Sequence, residues 1–325
     1  MIKKLFVLKL FLFLIFFTSC SSLKKIGTNA VADMLSGADK NGCEIQKKAG
    51  SADPLTAVTG ESDTVLIANF FPSALKVYEI MQAGNPEHGG LSVMCGQLNV
   101  MYANAFVQDP ADLLSVENFD KKDSEYRRAE MHYMRGSDYV FSALDRRYKG
   151  FSDAILSGEE KIFKPAIGKL KKSDVNAAYW AAAGRLGAFS LDPLNPDLLK
   201  CLRGLVALLE KASELSPDYS DGAVWSLLFV FYVSAPADFG GDLERGLYCY
   251  REALRVSGGK NAGHYVGYAE SYCIPQNDEE GFVNALKAAL AIDPDKDPSN
   301  RLMTIIYQNK ARRLLASQED YFLHW

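Results

Sequence analysis

From residue 63 onward, apolar residues recur at three- and four-residue spacing in long runs, and breaks containing Pro, Gly, Asp or Asn separate the runs. That spacing predicts helices, because positions i, i+3, i+4 and i+7 share one face of a 3.6-residue turn. No stretch shows the two-residue alternation of a half-buried strand. The last run, 299–320, predicts one closing helix with Leu302, Ile305, Ile306, Leu314 and Leu315 on its apolar side.

The predicted helices come in pairs that share a signature. Over 265–294, Tyr265, Tyr268, Ala269 and Tyr272 fit the first helix of a tetratricopeptide repeat. Leu286, Ala289 and Pro294 fit its second helix. Phe282 stands where a small residue is usual, so a rearranged contact is expected there. One extra residue separates the two helices near Ile274-Pro275. A second pair has Trp225, Leu228, Phe229 and Tyr232, then Gly246, Tyr250 and Ala253, around a lengthened turn at 236–242. A third has Trp180, Ala183, Gly184 and Gly187, then Leu205, Leu209, Ala212 and Pro217. Upstream stands a lone second helix with Ala74, Tyr78, Met81 and Pro86. A further pair is expected over 91–105 and 126–144, with a long connection around Pro110. Ala or Met falls five residues before Pro in three copies, at Met81, Ala212 and Ala289. A single helix pair cannot bury its apolar stripe alone, so pairs must stack. The expected fold is all-α, a tetratricopeptide-like α-solenoid of stacked helix hairpins over 61–325.

The start of the chain differs in character. Lys3 and Lys4 precede an apolar run over 5–17 that only Lys9 interrupts, followed by Thr18, Ser19 and Cys20. A basic start, a short apolar core and small residues mark residues 1–19 as a secretory signal peptide. The run is shorter than the ~20 residues a membrane span needs. Phe17-Thr18-Ser19-Cys20 resembles the site where lipoprotein signal peptidase cuts before a diacylated cysteine, with Phe17 in place of the usual Leu. Cys20 is therefore the expected lipidation site and membrane anchor. The stretch 20–60, rich in Ser, Gly, Ala, Lys and Asp and without sustained period, reads as a tether.

Charge narrows the partners. The chain carries 36 Lys and Arg against 40 Asp and Glu. Removing 1–19 takes three lysines and no acid, leaving about −7, which argues against a nucleic-acid partner. Cys43, Cys95, Cys201, Cys249 and Cys273 are scattered without a CxxC pair and read mainly as small core residues. His88, His132, His264 and His324 lie far apart, and no metal, phosphate-loop or nucleophile-elbow motif stands in the chain. Asp293, Asp295, Asp297 and Ser299 mimic the first four ligands of a calcium loop, but Pro298 and Thr304 occupy the positions that need Gly and Glu. No metal, cofactor or catalytic set is expected.

Several blocks, in order, resemble the TatT component associated with tripartite ATP-independent periplasmic (TRAP) transporters. They are Phe71-Pro72-Ser73-Ala74-Leu75-Lys76, Tyr102-Ala103-Asn104-Ala105-Phe106-Val107, Tyr179-Trp180-Ala181-Ala182-Ala183, Phe239-Gly240-Gly241-Asp242 and Asn309-Lys310-Ala311-Arg312-Arg313-Leu314-Leu315. The resemblance implies a periplasmic tetratricopeptide lipoprotein, a homotrimer, that docks the transporter's solute-binding protein and offers a route for a hydrophobic ligand. The expected contact residues are Phe239, Gly240, Gly241 and Asp242 in the lengthened turn, with Trp180, Trp225 and Tyr232 among the aromatics, most of which fit core packing positions. The alternatives are a tetratricopeptide lipoprotein of envelope or outer-membrane protein assembly, and a hydrolase whose residues are dispersed.

Overall fold

The computed structural model describes residue 29, residues 32–42 and residues 56–322. The expected signal segment, Cys20, Cys43 and His324 lie outside the described residues. Among the described residues 80 % are helical and there is no strand, so the all-α expectation holds. The principal helices are α1 (Thr64–Gly84), α2 (Gly89–Tyr102), α3 (Phe119–Arg147), α4 (Phe151–Leu156), α5 (Glu160–Ile167) and α6 (Val175–Leu191). They continue as α7 (Pro196–Leu215), α8 (Ala223–Ser234), α9 (Leu243–Ser257), α10 (Ala262–Tyr268), α11 (Glu279–Leu290) and α12 (Arg301–Ala316).

The polar breaks start the helices. Asp63, Asn195, Asp242, Asn261 and Asp278 each accept a first-turn N–H, of α1, α7, α9, α10 and α11 respectively. Such side chains satisfy donors that the helix itself cannot. Successive helices then stack: α2 on α3, α6 on α7, α8 on α9 and α10 on α11, with α3 bridging to α6 and α7 to α8.

Glycine sets the closest approach. A Cβ on Gly96 of α2 would lie 2.2 Å from Val140 Cγ2 and 2.6 Å from the Gly136 carbonyl of α3. One on Gly184 of α6 would lie 2.6 Å from the Tyr133 carbonyl. Around this crossing runs a continuous core from α2 to α9, with Phe151, Leu205, Leu209 and Phe229 fully buried. A further cluster joins α10, α11 and α12 through Phe282, Leu286 and Ala311. Cys95, Cys201, Cys249 and Cys273 are buried and unpaired. Burial pushes the Cys95 and Cys273 thiols up to about 12.

Several local expectations change. The long connection around Pro110 is mostly helical, because α2 runs on through a π turn, Ala103–Gln108, into Asp109–Asp112. The second helix of that pair, α3, begins at Phe119. The extra residue near Ile274 is absorbed inside the helix, as a second π turn over Ala269–Cys273. A π turn is how a helix accommodates one added residue. Phe282 is fully buried and packs on Tyr321 and Phe322, with ring centroids 6.0 and 5.1 Å away. The contact is thus rearranged around an aromatic cluster. Between α3 and α6 lies an insert, α4 and α5, that the repeat pattern does not announce; both pack on α7. Part of the stretch read as a tether also contacts the body. The Gly89 and Gly90 N–H groups donate to the Lys40 and Asp39 carbonyls at 2.7 and 3.1 Å.

Candidate functional site

The solenoid closes on itself. Leu302 and Ile306 of α12 join a cluster with Ile67, Phe71 and Leu75 of α1 and with Tyr102, Ala103 and Val107. The Arg301 guanidinium donates to the Gly60 carbonyl at 3.1 Å, across 241 residues of sequence. The last helix therefore meets the first, and the helix stack closes on itself through this cluster.

Aromatic side chains gather near this closure. Tyr179 of α6 and Tyr307 of α12 keep part of their surface accessible, yet burial pushes both phenols up. Burial raises the Tyr133 phenol of α3 as well, and Tyr307 adds to the rise of both Tyr179 and Tyr133 through charge. Tyr133 donates to Gln108 Oε1 at 2.7 Å and accepts from Asn104 Nδ2 at 3.1 Å. Trp180 lies edge-on to Tyr179, 5.0 Å between centroids, with a buried indole N–H that has no hydrogen-bond partner.

Charged groups fasten the closing seam. Lys310 of α12 reaches Glu270 at 2.9 Å and Asp109 at 3.4 Å, and Arg313 reaches Asp109 at 2.5 Å. Tyr126 donates to Asp112 at 2.7 Å. Asp109 directly follows the first π turn and Glu270 lies within the second. The widened turns thus deliver both carboxylates to one place, and π turns recur at functional sites. Burial alone would pull the Lys310 ammonium down, but Glu270 and Asp109 outweigh it and hold it up. Burial raises Glu270 above the usual carboxylate range, against the pull of Lys310. Burial raises Asp112 as well, against the hydrogen bond from Tyr126.

The predicted contact residues fall in three places. The 236–242 turn is held by bonds from Gly241 N–H to the Pro236 carbonyl at 3.0 Å and from Asp242 N–H to the Tyr232 carbonyl at 2.9 Å. Gly240 sits at φ 97, and a Cβ on Gly241 would strike the Ala235 carbonyl at 1.7 Å, so both glycines are needed for the turn. Asp242 caps α9, and Phe239 stays 45 % exposed at the tip. Tyr232 is 3 % exposed and donates to Glu210 at 2.6 Å, with Arg245 over its ring. It supports the turn from beneath. Trp225 donates to the Pro217 carbonyl at 2.9 Å, and Trp180 packs against the cluster where the last helix meets the first. Sequence reasoning did not single out Asp109 or Glu270, because nothing in a helical period tells an inward carboxylate from a solvated one.

One serine and one histidine stand within hydrogen-bond distance in the arrangement of a nucleophile and its base. Ser226 Oγ lies 2.8 Å from His264 Nδ1, and His264 Nε2 lies 2.7 Å from the Asp221 carbonyl. His264 is 2 % exposed, and it pins a turn in which Ser220, Asp221 and Gly222 all have positive φ. Its task is to hold that strained turn. The acids at 293–299 likewise serve a turn: Asp293 accepts from the Asp295 N–H at 3.0 Å and Asp297 from the Ser299 hydroxyl at 2.5 Å. Among the described residues no helix is long and apolar enough to cross a membrane.

The model of the TRAP transporter T-component family matches residues 60–322. A protein of Treponema pallidum (strain Nichols), described as uncharacterized, is 38 % identical over 312 residues, covering 94 % of this chain and 96 % of its own length. Four of the five blocks that carry the resemblance, those beginning at Phe71, Tyr102, Tyr179 and Asn309, meet at this cluster and its charged seam. The chain belongs to the T-component family of TRAP transporters, components that act on the periplasmic side.

Proposed function

We propose that the chain is a non-catalytic scaffold, anchored through a lipidated Cys20, that docks the solute-binding protein of its transporter. Docking uses the 236–242 turn, and the aromatic cluster where the last helix meets the first is where a small apolar ligand would be received during uptake. The observation that carries this reading is a closed helix stack bearing a turn, fixed by backbone hydrogen bonds, on which Phe239 stands exposed. Loops fixed on rigid scaffolds are where binding residues concentrate. An apolar ligand fits this reading because Tyr179 and Trp180 pack together within the cluster while the charges pair with one another at the seam. A homotrimer is the expected assembly.

The test is calorimetry of the purified chain with the solute-binding protein encoded beside it. Saturable binding supports the reading. No binding at high concentration removes docking and favours the envelope-assembly alternative. Radioactive palmitate incorporated by the wild type and lost in Cys20→Ser tests the anchor.

A further inference from the structure

The α4–α5 insert makes one edge of the molecule basic. Residues 145–174 carry eight Lys and Arg against five Asp and Glu, a net +3, in a chain whose total is −4. The remaining residues therefore sum to −7. Lys149, Lys161, Lys164, Lys169, Lys171 and Lys172 are all exposed. Asp174 is buried between Arg147 and Tyr148, so it does not offset them at the surface. Glu160 pairs with Lys164, which leaves Asp153 and Glu159 as the other exposed acids of the stretch. Lys149 and Lys169 line a shallow groove of about 170 Å³ together with Tyr148 and Pro165, and Ile162 of the same lining is 45 % exposed.

The amino-terminal segment leaves from the same edge. Asn85 Nδ2 donates to Asn29 Oδ1 at 2.7 Å, and His88 meets Asp33 at 2.9 Å, both at the turn between α1 and α2. Arg146 at the end of α3 donates to Ser92 at the start of α2 at 3.0 Å, which ties that turn to the insert.

The geometry points to this basic edge as a surface that lies on an anionic lipid bilayer, with phosphate-bearing headgroups against the lysines of the insert. The inference rests on the reading of Cys20 as the anchor. Asn29 lies nine positions after Cys20, and an extended chain spans at most about 30 Å over that length. An acyl chain on Cys20 thus keeps the Asn29 edge within reach of the bilayer, and Lys24 and Lys25 fall in the same short stretch. A bilayer is favoured over an acidic protein because the tether delivers this edge to lipid. Clustered basic residues beside an acyl anchor are a two-signal attachment, since one supplies insertion and the other surface charge. Phe239 lies outside this basic stretch and stays free for the solute-binding protein.

Hydrogen–deuterium exchange of the full lipidated chain in vesicles tests this. Uptake across 159–173 should slow at least about threefold on vesicles that are roughly one-third phosphatidylglycerol, relative to phosphatidylcholine alone, and recover near about 0.5 M salt. The combined change Lys161→Glu, Lys164→Glu, Lys169→Glu and Lys172→Glu should abolish the difference, and the Gln set should reduce it if reversal disturbs folding. Equal uptake on both vesicles overturns the inference, as does slowing at 236–242 instead. Slowing at 159–173 only after the solute-binding protein is added also overturns it, by assigning the edge to an acidic protein. Failure of the wild type to float with neutral vesicles tells against the acyl anchor itself. The basic edge is then judged by uptake with and without the anionic vesicles.

Discussion

Phe239 and His132 show how single side chains divide between recognition and architecture. Phe239 is held outward by a turn whose bonds are all backbone, so its ring contributes little to the fold. Phe239→Ala should weaken solute-binding protein affinity by about 1–3 kcal/mol, as for an interfacial aromatic anchor. Its circular dichroism and melting temperature should match the wild type. Unchanged affinity with a large fall in melting temperature would instead make Phe239 a core residue. His132 is buried, donates from Nδ1 to Asn99 Oδ1 at 2.8 Å, and lies edge-on to Tyr102. Burial, with Arg135 and Arg128 nearby, lowers it from 6.5 to about 4. The unfolded chain therefore takes up this proton near pH 6.5 and the native chain only near 4. Stability on this account is full above 6.5 and falls as pH drops through that window, by about 2 kcal/mol between pH 7 and 5. Burial lowers His264 in the same direction. Urea midpoints at pH 7 and 5 should show the loss, and His132→Gln should lessen it; an equal fall in the variant would refute the assignment.

At the level of helices, the crossing of α2, α3 and α6 depends on residues that are absent rather than present. Gly136→Ala would place a methyl 2.8 Å from the Gly96 carbonyl, so helix axes must separate along a continuous core. A loss of about 1–3 kcal/mol is expected from such overpacking, measurable by chemical denaturation. A neutral or stabilising result would mean that the helices adjust without strain. The helix pairs themselves were legible, because Gly184, Ala212, Ala253 and Ala289 sit where small residues permit contact and large aromatics fill the groove between. The two π turns were not legible, since one added residue can widen a helix or lengthen a loop with the same composition. Pro110 pointed to a loop, yet it follows the widened turn at 103–108. The insert escaped notice because α4 and α5 are too short to show a period, and its meaning lies in which face their lysines share.

The whole molecule is governed by closure. Sequence predicts an open stack, since each pair refers only to its neighbours, whereas contact between α12 and α1 depends on accumulated curvature that no local pattern encodes. Asp109 is the point where closure can be probed, for it serves both Lys310 and Arg313. Asp109→Asn should cost about 1–3 kcal/mol, less than breaking a fully buried pair because these groups keep some solvent contact. Amide exchange across 301–316 should quicken while that across α6 and α7 does not. Uniform quickening would mean the ring opens only by global unfolding.

Closure also sets a clock. Leu302 is made 235 residues after Ile67, the residue it helps to cover. At a synthesis rate of roughly 5–20 residues per second, the apolar flank of the first helix waits on the order of ten to fifty seconds for its cover. During that interval the nascent chain is a client for holding chaperones. A stop codon just before residue 301 would extend the interval without limit, so loss of the final helix is expected to be more damaging than its modest length suggests.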